Sequence, residues 1–410
     1  MIEEFISMKQ VVLLCDGMAD YPLPELDNQT PMTVAKKPNM NRLARFGKVG
    51  LVQTVAEGLK PGSDVANLSV MGYDPMLYYT GRSPLEAASI GIQMQSDDIA
   101  MRCNLVTLSD EADYDQKTLV DYCADDISTQ EARELIKVLK EAFDSEEFTY
   151  YSGVSYRHCV IWHHGLDELG DLIPPHDITG RVISDYLPKK QHAAILLEMM
   201  KKSYHILKDH PINQQRIQKG LRPANSIWLW GDGKSTCLPD FQQKNGCTGA
   251  VISAVDLLKG IGKLAHMDVI EVEGATGYLD TNFVGKANAC AQALKTVDFV
   301  YLHIEAPDEC GHRHEIENKV KSLEIIDEVV LPVILQALEQ YEDYKIMILP
   351  DHATPLALKT HTSDPVPYLM YRKSKAKEDV NMVIFDEQSA AKTKDMVVPG
   401  YTLIDKFFQL

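Results

Sequence analysis

The chain has no pair of cysteines at CxxC spacing; its eight cysteines, at 15, 103, 123, 159, 237, 247, 290 and 310, stand far apart. That pattern excludes a zinc knuckle and a dithiol redox motif, and reduced thiols are the expectation. No apolar run approaches the length needed to span a bilayer. The amino terminus, MIEEFISMKQ, lacks the basic start and continuous apolar stretch of a secretory signal, so a cytoplasmic location is expected. Positive charge is also scarce: 41 Lys and Arg face 59 Asp and Glu, for a formal charge of -18. Such a field repels nucleic acid and anionic membrane, and neither is expected as a partner. A small anion can still bind where arginines locally reverse the field. Internal repeats, low-complexity tracts and Gly/Ser linkers are missing as well.

What is present suffices for substantial cores. Apolar residues make up 45% and charged residues 24%, as in soluble globular proteins, and 410 residues favour two domains over one. Residues 10–15, QVVLLC, form a short aliphatic run ended by Asp16-Gly17, the pattern of a buried strand and a turn. The segments at 298–305 (DFVYLHIE), 344–349 (YKIMIL) and 366–371 (VPYLMY) repeat that logic, and a long amphipathic stretch at 316–341 separates the first two. Strands alternating with helices predict an α/β sheet buried on both faces. Ligands of such sheets gather beyond the carboxyl ends of the strands. Asp16 follows the first run, Asp308 and His312 the second, and Asp351 and His352 the third.

Roughly residues 95 to 225 break the alternation, with a charged helical stretch at 129–143, the run GVSYRHCVIW and a Lys/Gln-rich helix near 188–208. The expected organisation is a discontinuous core of residues 1–95 and 226–410 with a smaller α/β cap, 96–225, inserted into it.

Three short units carry chemistry. In APDECGHRHE, Asp308 and His312 are four residues apart, which puts both on one face of a helical turn. A carboxylate and an imidazole so placed suit a divalent cation, although such pairs also serve as surface ion pairs and helix caps. In LPDHATP, adjacent Asp351 and His352 can converge only if the backbone turns sharply, which the following Thr-Pro allows. His361, in KTHTSDPVPY, adds an imidazole that alone reads as an ordinary loop residue. Finally, in PGSDVANLSVMGYDP the Pro61-Gly62 turn lets Ser63 or Asp64 open a helix, whose free N–H groups favour an anion. A plain N-cap is the competing reading.

This last run resembles the archaeal-type branch of the cofactor-independent phosphoglycerate mutases, within the alkaline phosphatase superfamily. The similar runs are DGMAD, PGSDVANLSVMGYDP, GRSPLEAASIGI, RCNLVT, GVSYRH, PHDITG, GATGYLDTN, HIEAPDECGH, ENKV, LPDHATP and KTHTSDPVPY, in order along most of the chain. The resemblance implies an alkaline-phosphatase-like sheet sandwiched by helices, with the inserted cap. It makes Ser63 the nucleophile and splits the ligands of two divalent metals: Asp16, Ser63, Asp351 and His352 for one, Asp308, His312 and His361 for the other. Mixed oxygen and nitrogen donors favour Mn²⁺, with Zn²⁺ next, over Mg²⁺.

The implied reaction interconverts 3-phosphoglycerate and 2-phosphoglycerate through a phosphoserine, with no bisphosphoglycerate cofactor. Relatives with homoserine kinase or phosphate-ester hydrolase activity share the same core and define the alternative. The substrate expected is a small phosphorylated hydroxy acid, kept from water by the cap. Arg157, His158, His176, Asp177 and Arg181, joined by Arg82 and Arg102, are the cap candidates for binding its carboxylate and phosphate or moving protons. His163-His164, Cys15 and Cys310 are expected to be structural. One departure stands out: the bacterial form carries an Arg-rich run in its cap, whereas WLWGDGK at 228–234 has no arginine. Oligomeric state is not legible.

Overall fold

The computed structural model describes residues 8–376 and 384–410. The amino-terminal reading therefore falls largely outside the described residues. In chain order the strands are β1 (Lys9–Cys15), β2 (Lys48–Val52), β3 (Ile99–Leu108), β4 (Leu119–Asp121), β5 (Phe148–Val154), β6 (Arg157–Trp162) and β7 (Ser226–Lys234). They continue with β8 (Gly249–Ile252), β9 (Asp268–Ile270), β10 (Phe299–Ile304), β11 (Tyr344–Leu349), β12 (Val366–Arg372) and β13 (Met396–Val397). Contacts divide the chain into two compact units, Met1–Tyr79 with Leu238–Leu410, and Thr80–Cys237.

The larger unit holds an eight-stranded sheet in the order β13-β2-β12-β11-β1-β10-β8-β9. At its centre Val11 to Cys15 are fully buried, as are Phe299 to Leu302 and Ile346 to Leu349 on the flanking strands. Runs apolar on both faces are what a sheet covered by helices on each side requires. β1 pairs in parallel with β10 and with β11, in a register that aligns Cys15 with Ile304 and Leu14 with Leu349. The chain thus leaves all three strands at the same edge, and Asp16, Asp308 and Asp351 start from one level.

β12 runs antiparallel to β11. Although it reads like the other strands, its carboxyl end points away from that edge, and the loop before it, with His361, reaches the site instead. The amphipathic stretch at 316–341 is not one α-helix. It comprises helices Ile316–Ile325 and Leu331–Leu338 joined by a π turn at Ile326–Val330. Pro332 explains the break, since it has no N–H to give the carbonyl four residues earlier.

The smaller unit is built on a five-stranded antiparallel sheet in which β3 pairs with β4, β6 and β7, and β6 with β5. Helix Thr129–Phe143 has the expected limits, fixed by Ser128, whose hydroxyl accepts the Glu131 N–H. The Lys/Gln-rich helix starts later than expected, spanning Ala194–Leu207. The boundaries also differ from those at 95/96 and 225/226. WLWGDGK lies on β7, paired with β3, and helix Arg82–Ser89 contacts both strands. A pairing across more than 100 residues leaves no local mark in the sequence.

Candidate active site

The site is assembled at the carboxyl edge of the larger sheet. Asp16 leaves β1, and its N–H donates to Ile304 O of β10 at 2.9 Å. Gly17 turns the chain with φ +60, and a Cβ there would stand 2.6 Å from Asp308 Oδ1 and 2.7 Å from Asp308 Cα. Only glycine admits both the left-handed backbone and this close approach. Asp308 and His312 share one face of helix Ala306–His312. The loop after β11 is pinned by Thr354 N–H to Ala19 O at 3.3 Å and by a bridge between Ala353 and Thr362. That bridge brings His361 back beside His352, their ring centroids 4.0 Å apart. Ser63 opens helix Ser63–Val70 behind Gly62, with no side chain capping it.

The structure therefore gathers all seven residues expected from the resemblance. Asp16, Asp351 and His352 each bring one donor atom within 4.8 Å of the others, and so do Asp308, His352 and His361. Ser63 Oγ lies 3.2 Å from His352 Nε2. His312 Nε2 joins the second set, 3.2 Å from Asp308 Oδ2 and 2.8 Å from His361 Nε2. His352 lies in both groups, a sharing the sequence did not suggest.

The electrostatics call for positive charge. Burial, and then the charges of Asp351, Asp308 and Glu305, push the Asp16 carboxyl well above its usual range. Its Oδ1 is buried and accepts no hydrogen bond among the described residues. Burial also opposes ionisation of Asp308, yet bonds from His312 and His361 hold its carboxyl well below the usual range. The Asp308 bond in turn raises His312 to about 9, whereas burial lowers His352. Carboxylates this close and this deeply buried are stable together only with cations between them. The orphaned Asp16 oxygen and the converging imidazoles fit divalent cations.

Several participants escaped the sequence reading. Asn67 Nδ2 donates to Asp351 Oδ2 at 2.7 Å and to Ser63 O at 2.8 Å, while its Oδ1 accepts the Tyr301 hydroxyl at 2.6 Å. Its spacing of four from Ser63 in a helix was the available signal. His303, inside β10, contacts Asp16 Oδ2 through Nε2 at 2.8 Å. Thr354 donates its hydroxyl to Asp308. Lys319 forms a fully buried pair with Asp20 at 2.7 Å and also donates to Thr354 O at 2.8 Å, clamping the two loops that carry the acids.

The cap candidates all lie in the smaller unit. Arg82 and Arg102 both pair with Glu86, at 2.8 and 2.5 Å. The Arg102 guanidinium stands 4.5 Å from the Trp230 ring. An arginine from β3 thus stands against the strand that contains none. His176 packs edge-on against Trp230, with ring centroids 5.4 Å apart, and its Nε2 is 3.7 Å from Asp177 Oδ1. Burial, then the charges of Arg102 and Arg82, lowers His176 against the opposing pull of Asp177. Arg157 is exposed, 5.4 Å from the Tyr156 ring, and makes no ion pair among the described residues. Arg181 donates to Tyr186 OH at 3.0 Å. His158 is buried, with Nδ1 accepting the Gly153 N–H at 3.1 Å. His163 bonds to Asp98 and Thr149, His164 to Asp97, and Cys15 and Cys310 are buried free thiols.

Fold and site together define a class: α/β proteins that present an acid–histidine cluster, at the carboxyl edge of a largely parallel sheet, to a serine opening a helix. Comparison with known proteins narrows it. The family model described as 2,3-bisphosphoglycerate-independent phosphoglycerate mutase matches residues 44–213. A probable 2,3-bisphosphoglycerate-independent phosphoglycerate mutase from Geobacter sulfurreducens is 48% identical over 400 residues, covering 97% of this chain and 99% of that one. A 2,3-bisphosphoglycerate-independent phosphoglycerate mutase from Methanosarcina barkeri is 49% identical over 398 residues, covering 97% and 98%. Among solved structures, a Pyrococcus horikoshii protein aligns over 98% of this chain and 97% of its own, with a TM-score of 0.80 and 28% identity. The cofactor-independent phosphoglycerate mutase of Thermoplasma acidophilum aligns over 98% and 99%, with a TM-score of 0.68 and 27% identity. The chain belongs to the 2,3-bisphosphoglycerate-independent phosphoglycerate mutase family. No helix among the described residues is long and apolar enough to cross a membrane.

Proposed function

We propose that this chain interconverts 3-phosphoglycerate and 2-phosphoglycerate without bisphosphoglycerate, by way of a phosphoserine at Ser63. The observation that carries the reading is Ser63 Oγ, 3.2 Å from His352 Nε2 at the head of a helix, in a chain 48% identical to a relative of that name. Ser63 Oγ gives up its proton and forms a bond to phosphorus as the bond from phosphorus to the substrate oxygen breaks; the electron pair stays on that oxygen, which takes up a proton in turn and becomes a glycerate hydroxyl. The reverse step onto the neighbouring hydroxyl gives the isomer and frees the serine. Free N–H groups of the first helical turn are suited to the phosphoryl oxygens.

Asp16, Ser63, Asp351 and His352 would hold one divalent cation, and Asp308, His312 and His361 the other, Mn²⁺ being favoured by the mixed donors. Bound there, the pair would favour the serine alkoxide and offset charge on the transferring group. Asn67 and the Gly17 and His352 N–H groups keep Asp351 in place. In the smaller unit, Arg82, Arg102, Arg157 and Arg181, with His158, His176 and Asp177, are assigned to the substrate's carboxylate and phosphate. Eight free cysteines support a cytoplasmic location.

The test is incubation of Mn²⁺-loaded protein with 3-phosphoglycerate and no bisphosphoglycerate, followed by phosphorus NMR. 2-Phosphoglycerate should appear with little free phosphate. Steady release of phosphate, or no isomer alongside phosphorylation of homoserine from a nucleotide, would replace this reading.

A further inference from the structure

His303 is fully buried on β10, where it pairs in register with Leu14, two residues before Asp16. Its Nε2 is 2.8 Å from Asp16 Oδ2, and its Nδ1 is 3.0 Å from Ser253 Oγ. Ser253 Oγ already accepts the Val255 N–H at 3.0 Å, so the serine hydroxyl hydrogen is available for Nδ1. That arrangement leaves the ring hydrogen on Nε2, the form that donates to a carboxylate. The backbone of His303 is held too, since Lys286 Nζ donates to its carbonyl at 3.3 Å. With both nitrogens engaged, the ring offers no lone pair to a cation. Its effect falls on Asp16, which has one oxygen tied and the other, Oδ1, buried without a hydrogen bond among the described residues and 3.6 Å from His352 Nε2.

We propose that His303 is a positioning residue: locked by Ser253, it holds Asp16 Oδ2 so that Oδ1 alone is presented to a divalent cation. This rests on the reading that Asp16 is a cation ligand. Groups that hold a ligand carboxylate commonly contribute about 10- to 100-fold in cation affinity.

Equilibrium binding of Mn²⁺ alone to the full chain, followed by the paramagnetic resonance of free Mn²⁺, tests the proposal without reference to turnover. The parent should bind two ions. His303→Leu, similar in bulk but without a donor, should weaken one of them by about 10- to 100-fold and leave the other unchanged. His303→Gln, whose amide can donate from near the Nε2 position, should recover most of the loss, as filling space alone would not. Ser253→Ala, which keeps the ring and removes its lock, should weaken the same ion and carries the test if His303→Leu does not fold. Parental affinities in folded His303→Leu or, failing that, in Ser253→Ala would overturn the positioning role alone. A parent that binds no Mn²⁺ would overturn the cation reading and this proposal with it.

Discussion

Ser63 Oγ and His352 Nε2 approach to 3.2 Å although 289 residues separate them, one opening a helix and the other in the loop that follows β11. The serine is held at its backbone as well, since its carbonyl accepts from Asn67 Nδ2 at 2.8 Å. Ser63 is thus held both at its hydroxyl and at its carbonyl, among buried acids and imidazoles.

Ser63→Ala should therefore abolish isomerisation, by about 10³-fold or more, because the acceptor of the phosphoryl group is gone. Ser63 is half-buried and removes little apolar surface, so the thermal midpoint should hold within a few degrees. Intact-mass analysis of the parent during turnover should find one phosphate, localised by peptide mapping to Ser63. Undiminished turnover in the alanine variant would end the phosphoserine mechanism.

Asn67 supports both Ser63 and Asp351, so its replacement should be costly for activity and stability together. Asn67→Leu leaves Asp351 Oδ2 and the buried Tyr301 hydroxyl without this partner, at about 1–3 kcal/mol for each unsatisfied group. A midpoint lowered by several degrees and kcat reduced by about 10-fold or more are expected. Calorimetry and steady-state kinetics on one preparation check both. Parental values in each would show that the Asn67 bonds are incidental.

Asp16, Asp308, His312, Asp351 and His352 could be singled out locally, whereas His361 and Ser63 joined them only through the resemblance. Asp16, Asp308 and Asp351 follow apolar runs that could only be buried strands, and the i, i+4 pair in APDECGH fixes a helical face. What could not be read was set by distant partners. His303 looked like one more residue of a buried strand until Asp16, 287 residues away, came beside it. β12 reads as an apolar strand much as β11 does, yet it runs the other way, and direction is fixed by the connection rather than the run. The place of WLWGDGK was hidden for the same reason, its register with β3 being a property of the sheet.

Acid should weaken the smaller unit through His158. Burial depresses its folded pKa to about 3, against 6.5 for the free side chain. Between those values the unfolded chain binds one more proton. The contribution of His158 is therefore whole above pH 6.5 and is lost as pH falls toward 3, at about 1.4 kcal/mol per pH unit. All three tryptophans, 162, 228 and 230, lie in this unit, so their fluorescence in urea follows its unfolding. His158→Asn keeps an acceptor for the Gly153 N–H and loses the titration. The stability difference between parent and variant should shift in the variant's favour as pH drops from 7 to 4.5, and a pH-independent difference would contradict the assignment.

Arg157 separates anion binding from cation binding. Arg102 is committed to Glu86 at 2.5 Å and lies against Trp230, whereas Arg157 is exposed with no ion pair among the described residues, its guanidinium 5.4 Å from the Tyr156 ring. In a chain of net charge -18 an uncommitted guanidinium is a scarce site for a carboxylate or phosphate, and its planar fork can hold either with two bonds. Losing a charge-assisted hydrogen bond costs about 1.5–3 kcal/mol, which corresponds to roughly 10- to 100-fold in kcat/KM. Arg157→Ala should show that loss with 3-phosphoglycerate, mainly as a higher KM, while binding Mn²⁺ as the parent does. Arg157→Lys should recover only part of it, because an ammonium cannot reproduce the fork. The sign of the salt effect gives a second check: added salt should raise KM for the parent more steeply than for the alanine variant, since screening removes an attraction that only the parent has. Superimposable kinetics for parent and Arg157→Ala across substrate and salt concentrations would remove Arg157 from the substrate's contacts and shift the anion site to Arg82 and Arg102.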